Sequence, residues 1–172
     1  MRHLYILRHA KSDWGDYTLS DQERPLNARG RSAAALLGRY FHSVGLAPDL
    51  VLVSPAVRAV QTVNRLVEAG GFSWPQHMES RLYLADTRTL LDLIGERTPD
   101  VDRLMLVGHN PGLHDLAVSL AGSGDAALRR SLAAKLPTGG LVELMFDPAD
   151  APPRLGSGHL VRFVTPKSLT KA

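Results

Sequence analysis

Apolar residues along this chain fall into two patterns that alternate. Short continuous runs are followed by stripes at helical spacing. Residues 3–7 form a brief apolar run, and the spacing predicts a strand there. Over 28–44, Leu36, Leu37, Tyr40, Phe41 and Val44 recur on one side of a 3.6-residue period, which predicts an amphipathic helix. Residues 50–53 read as a buried strand. Ser54 and Pro55 then predict a helix start, with Ser54 as the cap, Pro55 in the first helical position, and Val57, Val60, Val63, Leu66 and Val67 continuing the stripe. The pattern repeats with an apolar strand at 104–107 and a helix capped by Asn110-Pro111, with Leu113, Leu116, Ala117 and Leu120 on one face. Gly122-Ser123-Gly124 reads as the stop of that helix. Residues 141–146 and 160–164 read as late strands, antiparallel or at an edge, joined by a Pro- and Gly-rich surface connection over 147–158. Repeated βα units predict an α/β fold: three layers, with a mostly parallel central sheet and helices on both faces.

Composition narrows the function classes. The 172 residues are one domain's worth of chain, and 44% apolar with 22% charged residues reads as a soluble globular protein. There is no cysteine, which excludes disulfide scaffolds, thiolate zinc sites and cysteine-nucleophile phosphatases. No apolar run approaches the roughly 20 residues that span a bilayer. The apolar stretch at 4–7 is too short for the core of a signal peptide. A cytoplasmic protein without a membrane partner is expected. The net charge of +3 is not concentrated: residues 1–86 hold 10 basic and 8 acidic side chains, and the remainder 10 and 9. With no interleaving of aromatic and basic residues, nucleic acid is not expected as a partner. Sixteen of the 20 basic residues are Arg, the side chain whose planar fork suits phosphate.

In open α/β sheets, ligands bind beyond the carboxyl ends of the strands. Three polar segments fall there: Arg8-His9, Ser54 to Arg58, and Gly108-His109-Asn110-Pro111. Singly, each has an ordinary reading as a loop histidine, a surface arginine or a helix start. Together, two His, two Arg and two helix N-termini at one sheet edge make a site for a phosphate dianion. No metal is expected, since His109 and His114 do not share a helix face and no H-E-x-x-H occurs. Neither a P-loop nor a G-x-G-x-x-G segment is present.

These residues also carry a resemblance. Leu7-Arg8-His9-Ala10-Lys11-Ser12 resembles the R-H-G signature of the histidine phosphatase superfamily, which has the phosphoglycerate-mutase-like fold. The segment Ser54-Pro55-Ala56-Val57-Arg58-Ala59-Val60-Gln61-Thr62 is similar to its S-P-x-x-R-A-x-Q-T segment, and Gly108-His109-Asn110 to its second-histidine segment. The short chain and Arg24-Pro25-Leu26 resemble the SixA-type phosphohistidine phosphatase branch. Ala10 in place of Gly, Lys11 in place of Glu and Gly15 in place of Asn point away from mutase activity.

The resemblance implies that His9 is the nucleophile and becomes phosphorylated. Arg8 and Arg58 would hold phosphate oxygens, with His109 as a further donor, and no cofactor would be needed. It also implies substrate contacts from Ser12, Asn110 and Arg24, although Arg24 could instead pair with Glu23 or Asp21. Glu79, Asp86, Asp13 and Asp16 are candidates for a general acid, each with an ordinary reading as a surface carboxylate. Without such an acid, phosphoramidates become the natural substrates, because imidazole is a far less basic leaving group than an alkoxide. The expected partner is a protein carrying phosphohistidine. The alternatives are a small phosphorylated metabolite, or phosphate binding without turnover.

Overall fold

The computed structural model describes residues 1–171. Its seven strands form one sheet: β1 (His3–Arg8), β2 (Leu50–Val53), β3 (Gln76–Met78), β4 (Arg103–Gly108), β5 (Ala121–Gly124), β6 (Leu141–Met145) and β7 (Gly158–Val164). Their spatial order is β3-β2-β4-β1-β6-β7-β5. Strands β3, β2, β4 and β1 are mutually parallel, and β6 alone runs against the others.

Alternation along β1 sets the two faces, because successive side chains of a strand point to opposite sides. Tyr5 and Leu7 pack with Val51, Val53, Met105 and Val107 under α1 (Ala28–Ser43) and α2 (Val57–Gly70), where Leu37, Phe41, Val63 and Leu66 are buried. Leu4 and Ile6 face the other layer. There Leu90 and Leu93 of α3 (Thr87–Arg97), Leu113 and Leu116 of α4 (Gly112–Leu120) and Leu132 of α5 (Ala126–Ala134) close a second core. A short α6 (Pro166–Thr170) packs on α1. The expected three-layer, mostly parallel α/β architecture is present.

Three local expectations are corrected. Ser54 does not cap a helix with Pro55 in its first position: Ala56 is still extended and α2 begins at Val57. The Ser54 hydroxyl is engaged by His109 instead. Asn110 does not cap α4, which begins at Gly112 after Pro111. Its side-chain amide reaches across to the Leu136 carbonyl. Gly122-Ser123-Gly124 is strand rather than helix stop, because β5 pairs alongside β7 as the sheet's edge. Of the two alternatives for the late strands, antiparallel holds: β6 and β7 pair antiparallel inside the sheet, β6 between β1 and β7 and β7 between β6 and β5. Among the described residues, no helix is long and apolar enough to cross a membrane.

Candidate active site

The chain leaves β1 for β2, continues outward to β3, and returns to place β4 between β2 and β1. The carboxyl ends of β1, β2 and β4 therefore meet at the point where strand order reverses, and a cavity of about 400 Å³ opens there. Arg8, His9, Arg58 and His109 all line it, as do Ser12, Arg24 and Asn110.

His9 directly follows β1. Its backbone N–H donates to Gly108 O at 3.1 Å, and its carbonyl accepts from Gly139 N at 3.0 Å, so neighbouring segments clamp it from both sides. The ring is fixed as well. Nδ1 lies 2.7 Å from Ala10 O, an acceptor only, so Nδ1 carries the proton and donates. Nε2 is left with its lone pair, 3.4 Å from Arg58 Nε. The sequence places a histidine at the strand end, and this one carbonyl selects its nucleophilic tautomer.

Arg58, the second residue of α2, is 3% exposed. Its Nη2 lies 3.3 Å from His109 Nδ1, so the guanidinium spans the two imidazoles, whose ring centroids are 5.2 Å apart. His109 Nε2 lies 2.7 Å from Ser54 Oγ, which also accepts from Ala56 N. Arg58 Nη2 can only donate, so Nδ1 accepts from it, and Nε2 carries the proton and donates to Ser54 Oγ. Thr62, one turn beyond Arg58, accepts from Ala10 N at 3.0 Å and donates to Arg58 O at 2.6 Å. Gln61 accepts from Leu26 N at 2.8 Å. The Gln-Thr pair thus pins α2 to the loop after β1 and to the segment holding Arg24.

Arg8 donates through Nη1 to Leu136 O at 3.1 Å, the same carbonyl that takes the Asn110 amide. Arg8 Nε and Asn110 Oδ1 are buried without a protein partner. An unpartnered guanidinium donor beside two imidazoles suits an oxyanion. Arg24 is nearly buried, stacks 3.4 Å from the Trp14 ring centroid, and bonds Ser12 Oγ at 2.9 Å and Asp21 Oδ1 at 2.9 Å. Of its two possible partners, Asp21 is the one it takes. Glu23 turns back onto Ser20 N.

Asp21 is the residue that sequence reasoning undervalued. Its Oδ2 accepts from Arg58 Nη2 at 3.0 Å and from the Tyr83 hydroxyl at 2.5 Å, while its own carbonyl accepts from Arg58 Nη1 at 2.6 Å. Tyr83 in turn sets its ring edge against His109. The Tyr83 hydroxyl and the two arginines hold the Asp21 carboxyl well below the usual carboxylate range. It stays ionised and cannot donate a proton at neutral pH. The proposed acids are engaged elsewhere: Glu79 pairs with Arg81, Asp86 caps α3 on Thr89 N, Asp13 accepts from Gly15 N, and Asp16 from Thr18. None of the four lines the cavity, nor does any other carboxylate among the described residues.

Burial holds both imidazoles neutral. It pushes His9 down to about 3 against the favourable bond to Ala10 O, and pushes His109 down to about 4 with help from the charge on Arg58. An unfolded histidine titrates near 6.5. Between that value and about 4, the unfolded chain therefore binds protons that the fold does not, and stability falls as pH falls. The slope approaches about 1.4 kcal/mol per pH unit for each imidazole once pH is below 6.5. Urea midpoints should drop between pH 7 and pH 5, and saturating phosphate should flatten that drop by favouring the protonated rings. A midpoint indifferent to pH over this range would contradict neutral burial of the pair.

Residues 4–83 match the sequence profile of the histidine phosphatase superfamily, branch 1. The chain is 36% identical over 163 residues to an uncharacterized protein of Mycobacterium tuberculosis, a match covering 94% of this chain and 100% of that one. This chain belongs to the histidine phosphatase superfamily. Among superfamily structures, one provisionally named phosphohistidine phosphatase SixA, from Agrobacterium tumefaciens, is 29% identical and superposes with a TM-score of 0.81, covering 95% of this chain and 97% of its own. A protein histidine phosphatase SixA complexed with tungstate has a TM-score of 0.78 at 20% identity, covering 97% and 99%, and at that identity shares the fold.

Proposed function

We propose that this histidine phosphatase removes phosphoryl groups from phosphohistidine on a cytoplasmic protein, through a phosphorylated His9. One observation carries the reading: His9 Nε2 offers a lone pair in a cavity lined by three arginines and, among the described residues, by no carboxylate.

In the first step, His9 Nε2 forms a bond to phosphorus as the bond to the substrate's imidazole nitrogen breaks. The substrate ring, protonated on its other nitrogen, leaves as neutral imidazole, so no proton need be supplied to it. In the second step, water attacks phosphorus, the His9 N–P bond breaks, and orthophosphate leaves. Phosphoryl transfer needs mainly positioning and charge stabilisation on the equatorial oxygens. Arg8 Nε and the Arg58 fork supply the donors, and His109 adds a third once the dianion raises its affinity for a proton. Arg24 adds charge at the rim, with Ser12 holding its guanidinium. Asn110 acts through Leu136, securing the wall on which Arg8 rests. The positive side chains offset the dianion, so the reading requires no metal and no cofactor.

A phosphohistidine protein and a sugar phosphate, supplied at matched concentration, separate this reading from that of a metabolite phosphatase. The expected result is faster orthophosphate release from the protein. Faster turnover of the sugar phosphate would replace the reading, and binding without release from either would point to a phosphate-reading module.

A further inference from the structure

The cavity does not end at the phosphoryl site. Lys11, Lys135, Pro137 and Thr138 line both it and an adjoining concavity of about 480 Å³. That concavity continues past Arg29 and Lys167 into a third of about 750 Å³, floored by Ala33 and Leu36 of α1. Gly30 makes the alignment possible: a Cβ there would lie 2.0 Å from Lys11 O, so only glycine lets the first turn of α1 ride against the loop after β1. Arg29 and Lys11 then share one groove.

The charge on this groove is one-sided. Lys11, Arg29, Lys135 and Lys167 include three of the chain's four lysines. None of them pairs with a carboxylate among the described residues, whereas Arg24, Arg58, Arg81, Arg103 and Arg162 all do. Among the described residues, no Asp or Glu lines any of the three concavities. The two kinds of cation also divide the work. Arginine forks surround the phosphoryl site, where fixed geometry matters. Along the groove, lysines predominate, and a mobile point charge suits a partner of variable geometry. These cations exceed what one phosphate needs, and a small phosphorylated metabolite would fill the first cavity alone.

We propose that this groove docks an acidic segment of the phosphoprotein substrate, flanking its phosphohistidine, with an apolar residue against Ala33 and Leu36. The inference rests on the phosphohistidine reading above and extends it to the substrate's sequence.

The test uses the full chain with Arg29→Glu and Lys167→Glu combined. Both positions lie in the first turns of helices, where a carboxylate is favourable, and neither lines the phosphoryl cavity. Turnover of p-nitrophenyl phosphate should be unchanged, which also shows that the variant folds. A phosphohistidine peptide with glutamates around the histidine should lose on the order of tenfold in kcat/KM, through KM, and the loss should shrink at high salt. The same peptide with glutamines should show no difference between wild type and variant.

Equal losses on all substrates, or no loss on the acidic peptide, would overturn the groove. A wild type that ignores both peptides would overturn the phosphohistidine reading instead. In that case anisotropy with the unphosphorylated acidic peptide still decides the groove, which requires weaker binding to the variant. Displacement of that peptide by single-stranded RNA, but not by an acidic peptide of equal charge, would assign the groove to nucleic acid.

Discussion

His9→Ala yields a folded protein that binds phosphate and does not turn over, with kcat reduced on the order of 10⁶-fold, the scale on which loss of a nucleophile is felt when its surroundings stay intact. The fold survives because the main-chain bonds to Gly108 and Gly139 hold this position without the ring. Phosphate binding survives in part because Arg8 keeps its bond to Leu136 O, Arg58 its bonds to Asp21 and His109 its bond to Ser54 when the His9 ring is removed. Rapid quench with labelled substrate provides the direct readout. Wild type should carry an acid-labile, base-stable phosphoryl group, and the variant none. Wild-type turnover by His9→Ala would remove the covalent mechanism altogether.

Rates on different substrates should follow the basicity of the leaving group steeply. With no carboxylate among the described residues lining the cavity, and with Asp21 held ionised by Tyr83, Arg24 and Arg58, no carboxyl group stands ready to protonate an alkoxide, and the proton His109 takes up is committed to a phosphoryl oxygen. General acid assistance is typically worth about 10²–10⁴-fold, so alkyl phosphates such as 3-phosphoglycerate should lag behind phosphohistidine and aryl phosphates by a gap of that order. Glu79→Gln and Asp86→Asn should leave phosphohistidine turnover where it was, since one carboxylate is paired with Arg81 and the other caps a helix. A hundredfold drop in either variant, on the order expected for loss of an acid, would show that a proton donor reaches the site after all.

Elements that bury a patterned face were legible in the sequence, and those that bury little were not. Strands β1, β2 and β4 are continuous apolar runs because both of their faces are covered. By contrast, β3 is Gln-His-Met, exposed throughout at one edge, and β5 is Ala-Gly-Ser-Gly at the other, so neither leaves a trace in hydropathy. The helix α5 was equally silent, with Leu132 its one buried residue. A signal for α3 was present and passed over: Asp86, weighed as an acid, stands before Leu90, Leu93 and Ile94 at helical spacing. At the site, strand ends and motif order pointed to Arg8, His9, Arg58 and His109. The choice of His9 tautomer, the Ser54 bond to His109 and the Asp21 bridge depend on residues far apart in sequence meeting through tertiary packing, which no local spacing encodes.

Because β6 is the one strand that runs backwards, it starts at the edge where its parallel neighbours finish. The turn before it therefore arrives at the site from outside the βα frame, bringing Leu136 O under Arg8, Gly139 against His9, and Lys135 and Thr138 to the mouth. One turn thus does two jobs: its backbone holds the histidine–arginine centre, and its side chains face the mouth. Replacing the side chains of Lys135 and Thr138 can therefore recharge or reshape the mouth, while the backbone of Leu136 and Gly139 goes on holding Arg8 and His9 in place.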